Sequence, residues 1–168
     1  MKKLLSILVV SIVALVAQAN TGYIMVALHS PGELPSPEFN INGVRLSAIY
    51  GDCPRLNGLD VSLSGVMRER INGLQVGALF SLDNDLYGLG IGCVNYAGGE
   101  FAGCQIGLWN HAASGAGAQF GVVNTAGYFA GFQCGLFNWA DNLDGLQIGL
   151  SNVVVDQVPW LPILNVGW

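Results

Sequence analysis

The 168 residues predict an all-β repeat fold: a β-solenoid of about eight 14–15-residue units, with a ten-stranded outer-membrane up-and-down β-barrel as the alternative. Three features predict it. A single unit, G-x-Q-x-G-x-x-N, recurs through most of the chain. Its starts, at residues 43, 58, 73, 88, 103, 117, 131 and 145, advance by 15 residues four times and then by 14 three times. Within each unit, small or polar residues (Gly, Gln, Gly) alternate with apolar ones (Leu, Ile, Leu). Period two is the mark of a strand, whose side chains alternate between faces. A helix is excluded: paired glycines cost it about 1 kcal/mol each, and no 3.6-residue stripe exists. So regular a period implies a repeat architecture.

The chain divides into four stretches. Residues 1–19 read as a secretory signal: Lys2 and Lys3, an apolar run from Leu4 to Val16, then Ala17-Gln18-Ala19 as a small-x-small cleavage site. The run is shorter than the roughly 20 residues of a membrane-spanning helix. Residues 20–42 hold a plausible strand, Gly22 to Ser30, followed by a Pro-rich linker with Pro31, Pro35 and Pro37. Residues 43–154 form the repeat domain. Residues 155–168 form a cap or terminal strand, because Pro159 and Pro162 break any continuation of the repeat.

The best copies of the unit carry Gln105, Gln119, Gln133 and Gln147 at the strand centre and Asn110, Asn124, Asn138 and Asn152 at its end. Two looser copies carry Gln75, with Phe80 in the Asn slot, and Asn95, with Gly90 in the Gln slot. The first two copies have Arg45 and Asp60 where Gln is expected. These Gln and Asn residues read as a structural column rather than a binding site. A substitution such as Gln119→Leu is expected to cost more than one at Gln157, outside the repeat. An apolar residue precedes most first glycines by two positions, and from Met67 onward a small or apolar one follows the Asn slot by two.

This G-x-Q-x-G-x-x-N unit, at a 14–15-residue step behind a signal segment, resembles the leptospiral-type surface-repeat proteins of bacteria. The resemblance covers about residues 43–154, and the earliest copies depart from it by losing Gln and Asn. It implies a bacterial cell-envelope location and no known chemistry.

Both architectures draw on the repeat. In a solenoid each unit is one coil, and like residues stack above like. Apolar residues at unit positions +1, +3 and +5, counted from the first glycine, would fill a thin core together with those at −2 and +9. Identical-looking turns and tolerance of a one-residue step change favour this arrangement. In a barrel, eight units plus Gly22–Ser30 and Trp160–Trp168 supply ten strands, an even number. The low charge and the terminal Leu164, Val166, Trp168 alternation fit a barrel. Barrel loops normally differ between the two sides, and here they do not.

Composition bounds the function. The chain is 52% apolar and 10% charged with 24 glycines, which excludes a disordered chain. Without residues 1–19 the chain keeps four cations, Arg45, Arg55, Arg68 and Arg70, against eleven acids, a formal net charge of −7. No basic patch exists for a nucleic-acid partner. From Tyr87 to Val155 the only charged residues are Glu100, Asp141 and Asp144, so this stretch packs against something apolar or shows an uncharged face. Cys53, Cys93, Cys104 and Cys134 have irregular spacings and no C-x-x-C pair, and read as free thiols. His29 and His111 lack partner patterns. Asp83-Asn84-Asp85 and Asp141-Asn142-Leu143-Asp144 fall short of a calcium loop's ligand count and read as turns. No nucleophile elbow or P-loop occurs. Tyr96, Trp109, Tyr128, Phe137 and Trp139 mark strand ends, as corner packing or as a membrane-interface belt.

The expectation is therefore a non-enzymatic envelope or surface protein with a structural or interaction role. It has no catalytic residue, cofactor or metal. It would be exported across the inner membrane to the periplasm, outer membrane or cell surface. Its partner would be an envelope component, another protein or the outer membrane. The alternative is a small barrel acting as pore, anchor or adhesin.

Overall fold

The computed structural model describes residues 21–29, 33–34, 38–157 and 159–168; the proposed signal segment and the prolines at 31, 35 and 37 lie outside them. The chain is a β-solenoid. Its strands are β1 (Thr21–His29), β2 (Glu33–Leu34), β3 (Asn40–Ile106), β4 (Trp109–Phe120), β5 (Val123–Cys134), β6 (Phe137–Val154) and β7 (Leu161–Gly167). They form one sheet in the order β2-β1-β3-β4-β5-β6-β7. β3, 67 residues long, winds through several coils.

Successive coils pair in parallel and in register. Gly103, Gly117, Gly131 and Gly145 align, as do Gln105, Gln119, Gln133 and Gln147. An up-and-down barrel pairs each strand antiparallel with the next, so the barrel alternative is set aside. The change from a 15- to a 14-residue step is absorbed between Ala97 and Glu100, where the register slips past Gly98 and Gly99. The corners are hydrogen-bonded too: Leu108 N donates to Cys93 O, Val122 N to Leu108 O and Leu136 N to Val122 O, at 2.9–3.0 Å.

Both ends carry an added strand. β1 pairs in parallel with the first coil, placing Met25 beside Arg45. Glu33 and Leu34, expected in a linker, instead pair antiparallel with Ala27 and Val26. β7 turns back antiparallel on β6, and Pro162 is tolerated there as on other edge strands. Gln157 pins this end. Its amide donates to Leu143 O and Trp168 O, at 2.9 and 2.7 Å, and its oxygen accepts from Trp168 N. Gln157 is therefore not the inexpensive position its place outside the repeat suggested.

The core differs from the sequence expectation. Positions +1, +3 and +5 do not fill it. The buried apolar residues are the −2 column (Ile41, Leu56, Ile71, Leu86, Phe101, Phe129, Leu143) and the small +9 column (Ala97, Ala112, Ala126, Ala140, Val154), joined at the N-terminal end by Met25, Ala27 and Cys53. Parity explains the correction. In a straight strand −2, 0, +2 and +4 share one face, so burying −2 also buries Gln at +2 and turns +1 and +3 outward. The phase changes at the corner after +4, which brings Asn at +7 and the small residue at +9 inside. At the one unit with glycine at −2, Gly115, the two flanking phenylalanines close the gap. Phe101 and Phe129 stack with centroids 6.1 Å apart, although two coils separate them by roughly 9.6 Å of backbone.

Candidate functional site: interior amide ladders and an outer apolar ridge

The amides expected to form a structural column are all interior. Gln75, Gln105, Gln119, Gln133 and Gln147 are buried, as are Asn95, Asn110, Asn124, Asn138 and Asn152. Each stacked Gln donates back to the coil before it: Gln119 to Gln105, Gln133 to Gln119 and Gln147 to Gln133, at 2.7–2.8 Å. Each stacked Asn donates forward: Asn95 to Asn110, Asn110 to Asn124, Asn124 to Asn138 and Asn138 to Asn152, all at 2.8 Å. The two ladders thus run with opposed polarity, and their dipoles offset each other. The second amide hydrogens tie the walls together. Gln105 reaches His111 O and Gln147 reaches Val153 O across the core, while Asn110 and Asn124 reach Phe120 O and Cys134 O. A buried amide without partners is costly, and here repetition supplies the partners.

Glycine makes room for the close stacking of the coils and for the asparagine ladder. The first glycine of every unit has φ between 136° and 154°, and a Cβ on Gly117 would lie 2.0 Å from Gly103 O. A Cβ on Gly121, at +4, would lie 2.6 Å from the Asn110 amide nitrogen.

The early coils replace the amides with charge. Arg45 and Asp60, both fully buried, form a two-point ion pair, Nε–Oδ1 at 2.8 Å and Nη2–Oδ2 at 2.9 Å. Burial pulls the Arg45 guanidinium down, but the Asp60 hydrogen bond and charge carry it above its ordinary value. Gln75 donates to Asp60 and Asp83. Burial pushes the Asp83 carboxyl up to about 8, against the pull of the Gln75 hydrogen bond. Phe80, expected in the Asn slot, points outward and is exposed; Ser81 is buried in that column instead. Within this unit the inward slot has moved from +7 to +8.

The residues with chemical potential do not converge. Asp83 points into the core while Asp85, two residues on, pairs with Arg70 at 3.3 Å on the outside. Among the described residues no three His, Cys, Asp or Glu side chains gather as metal ligands. His111 stacks on Tyr96 at 4.8 Å and meets Thr125 Oγ1 at 2.9 Å, and burial lowers its pKa. The His29 side chain lies outside the described residues. No disulfide joins the four cysteines: Cys53 is buried beside Arg45, while Cys93, Cys104 and Cys134 sit half-buried on the outer face.

That outer face is the most distinctive surface. Positions +3 and +5 flank the corner residue of each coil, Ser47 and Ser62 in the first two units and glycine in the rest, and in all eight units both are apolar or Cys, from Leu46 and Ala48 to Ile148 and Leu150. They form a continuous ridge. Its exposed members include Leu63, Ile106, Leu108, Phe120, Val122 and Leu136. The opposite edge gathers the charges: Arg55 with Glu69 at 2.5 Å, Arg70 over the Tyr87 ring, and Tyr87 bonded to Glu100. An exposed Asn72–Asn57–Asn42 chain runs along it at 2.7 and 2.6 Å. Sequence reasoning missed the ridge because it assigned these columns to the core; the parity of −2 against +1 was the signal that locates them.

No protein-family model, curated protein or solved structure matches this chain. Its class is therefore defined by its own geometry: a capped, in-register parallel β-solenoid with a polar ladder interior and an apolar ridge.

Proposed function

We propose that this chain is an exported, non-enzymatic protein of the bacterial cell envelope, with a structural or interaction role carried by its ridge. The observation that supports the role is the ridge itself. A soluble monomer rarely exposes a contiguous apolar patch beyond a few hundred Å², and larger ones mark contact surfaces. The buried amides are used by one another, which supports a structural rather than a binding role for them. Export is supported by Lys2-Lys3, the apolar run and Ala17-Gln18-Ala19.

Expression in a bacterium followed by fractionation tests the reading. The protein is expected in the envelope fraction with its N-terminus at Asn20. The double variant Leu108→Gln, Leu136→Gln is expected to shift it to the soluble fraction with an unchanged melting temperature. Retention of Met1 in cytoplasmic protein would refute export. Unaltered envelope association of a folded double variant would refute the role given to the ridge.

A further inference from the structure

Resting on the reading of the ridge as the contact surface, we infer that its partner is the hydrocarbon surface of a lipid layer, on which the solenoid lies along its corner. Four observations converge. First, the polarity is segregated. The ridge columns carry no charge, while the exposed ion pairs and the exposed asparagine chain occupy the opposite edge. This is the geometry of an amphipathic helix lying in an interface, built here from a solenoid.

Second, the ridge offers a protein partner no polar anchors. Protein interfaces carry about one hydrogen bond per 100–200 Å². Here the +3 and +5 side chains make none, and the Leu108, Val122 and Leu136 backbone amides at the crest are spent on the neighbouring coil. A hydrocarbon phase demands such internal satisfaction and offers no polar partner in return.

Third, the ridge does not stop at the repeat. Register places Val26 of β1 on the +3 column beside Leu46, and Leu164 of β7 on the same column beside Ile148. All four are exposed or nearly so, and with about 4.8 Å per coil the ridge runs roughly 40 Å. A cap that merely sealed the solenoid end would not need to prolong its apolar corner.

Fourth, Ile163 occupies the corner position of β7 opposite Gly149, with φ at 72° and 73% of its surface exposed. A β-branched residue in the left-handed region is strained, and glycine fills the equivalent corner in every coil from Gly77 to Gly149. The strain keeps an aliphatic side chain on the ridge. The indoles of Trp109 and Trp139 flank the crest, with their N–H groups on Thr125 Oγ1 and Asp141 Oδ1. Rings with one apolar side and one polar tip suit the headgroup level.

Lipid binding of this kind should not depend on anionic headgroups, because the chain is itself acidic. The test is flotation of the purified exported protein with large unilamellar phosphatidylcholine vesicles, at low salt and at 0.5 M salt. The protein is expected to float at both, with blue-shifted tryptophan fluorescence. Leu108→Gln with Leu136→Gln is expected to reduce partitioning at least tenfold, while Asn72→Ser on the opposite edge leaves it unchanged. Ile163→Gly is expected to raise the melting temperature and weaken partitioning, which separates lipid contact from stability. Failure of the wild-type protein to float overturns the inference, and so does flotation undiminished in the folded ridge variants. A lipid-free dimer that dissociates in those variants, without flotation of the wild type, assigns the ridge to a second copy and also overturns it. Envelope association that persists when vesicle binding fails would leave the broader reading standing.

Discussion

Gly90 interrupts the glutamine column, and the interruption is visible on its neighbours. The Gln75 carboxamide oxygen is buried without a partner, and Gln105 donates to His111 O with no side chain behind it to receive its second hydrogen. A Cβ at Gly90 would meet only the Leu86 Cδ2 tip at 3.1 Å and the Asn95 amide at 3.6 Å. Gly90→Gln is therefore expected to complete the ladder, donating to Gln75 and accepting from Gln105. Two net amide bonds at about 0.5–1.5 kcal/mol each should raise the thermal midpoint by a few degrees; an unchanged or lower midpoint would contradict the ladder geometry. Asp83 is the second unsettled residue. Its folded pKa of about 8 lies above an unfolded value near 4, so the folded state holds a proton that the unfolded chain releases. The associated stability is fully present below about pH 4 and is lost as pH rises through 8. Melting temperatures at pH 5 and pH 8.5 should show a drop in the wild type that Asp83→Asn abolishes; equal drops in both would place the titration elsewhere. The Gln and Asn positions were legible in the sequence as a column. The Asp83 environment was not, because its burial depends on the one-residue shift that puts Ser81 and Asp83 inside and Phe80 outside.

A single coil is too thin to have a core of its own, so each strand is stabilised by the coils above and below. This explains why the period was legible and the facing was not. Translation of one unit fixes the stacking of like on like, and parallel pairing follows from it. Which side of the strand lies inward depends on whether the −2 residue or the +1, +3 and +5 set wins burial. Hydrophobicity alone favours the larger set. The smaller set wins because its face also carries the glycine at +4, where a Cβ would collide with the stacked asparagines, and because stacked amides satisfy one another. The ladder then works as a unit, and breaking one rung should expose both neighbours. Gln119→Leu leaves the Gln105 oxygen and one Gln133 amide hydrogen unpaired in the interior. At about 1–3 kcal/mol per orphaned buried group, the loss should be at least twice that of Ala116→Ser on the exposed side of the same coil. Chemical denaturation measures both, and equal midpoints would mean that the column carries no structural weight.

At the scale of the whole molecule an aliphatic corner runs along one edge of the solenoid, with the ladders and the Arg45–Asp60 pair inside and the exposed ion pairs of the early coils on the other edge. The caps stop stacking at the two ends by different means: a parallel strand with a short antiparallel cover at one end, and a reversed strand pinned by Gln157 at the other. Exposed sheet edges invite further pairing, and the reversal in β7 stops the parallel register from propagating. In the sequence Pro159 and Pro162 interrupt the repeat pattern, and β6 ends at Val154 before them. The reversed direction of β7 could not, since an alternating apolar strand reads the same in either direction. All of this depends on the +1, +3 and +5 columns facing outward, and the native cysteines report on it without any substitution. Cys104, Cys134 and Cys93 occupy +1, +3 and +5, whereas Cys53 is buried beside Arg45. The decisive measurement is thiol labelling of the folded, lipid-free protein with a water-soluble maleimide at pH 8, read by peptide mass spectrometry. Cys93 and Cys134 should react without denaturant, Cys104 more slowly because burial raises its thiol pKa, and Cys53 only on unfolding. Equal protection of all four until the protein unfolds would place the apolar columns inside and contradict the account.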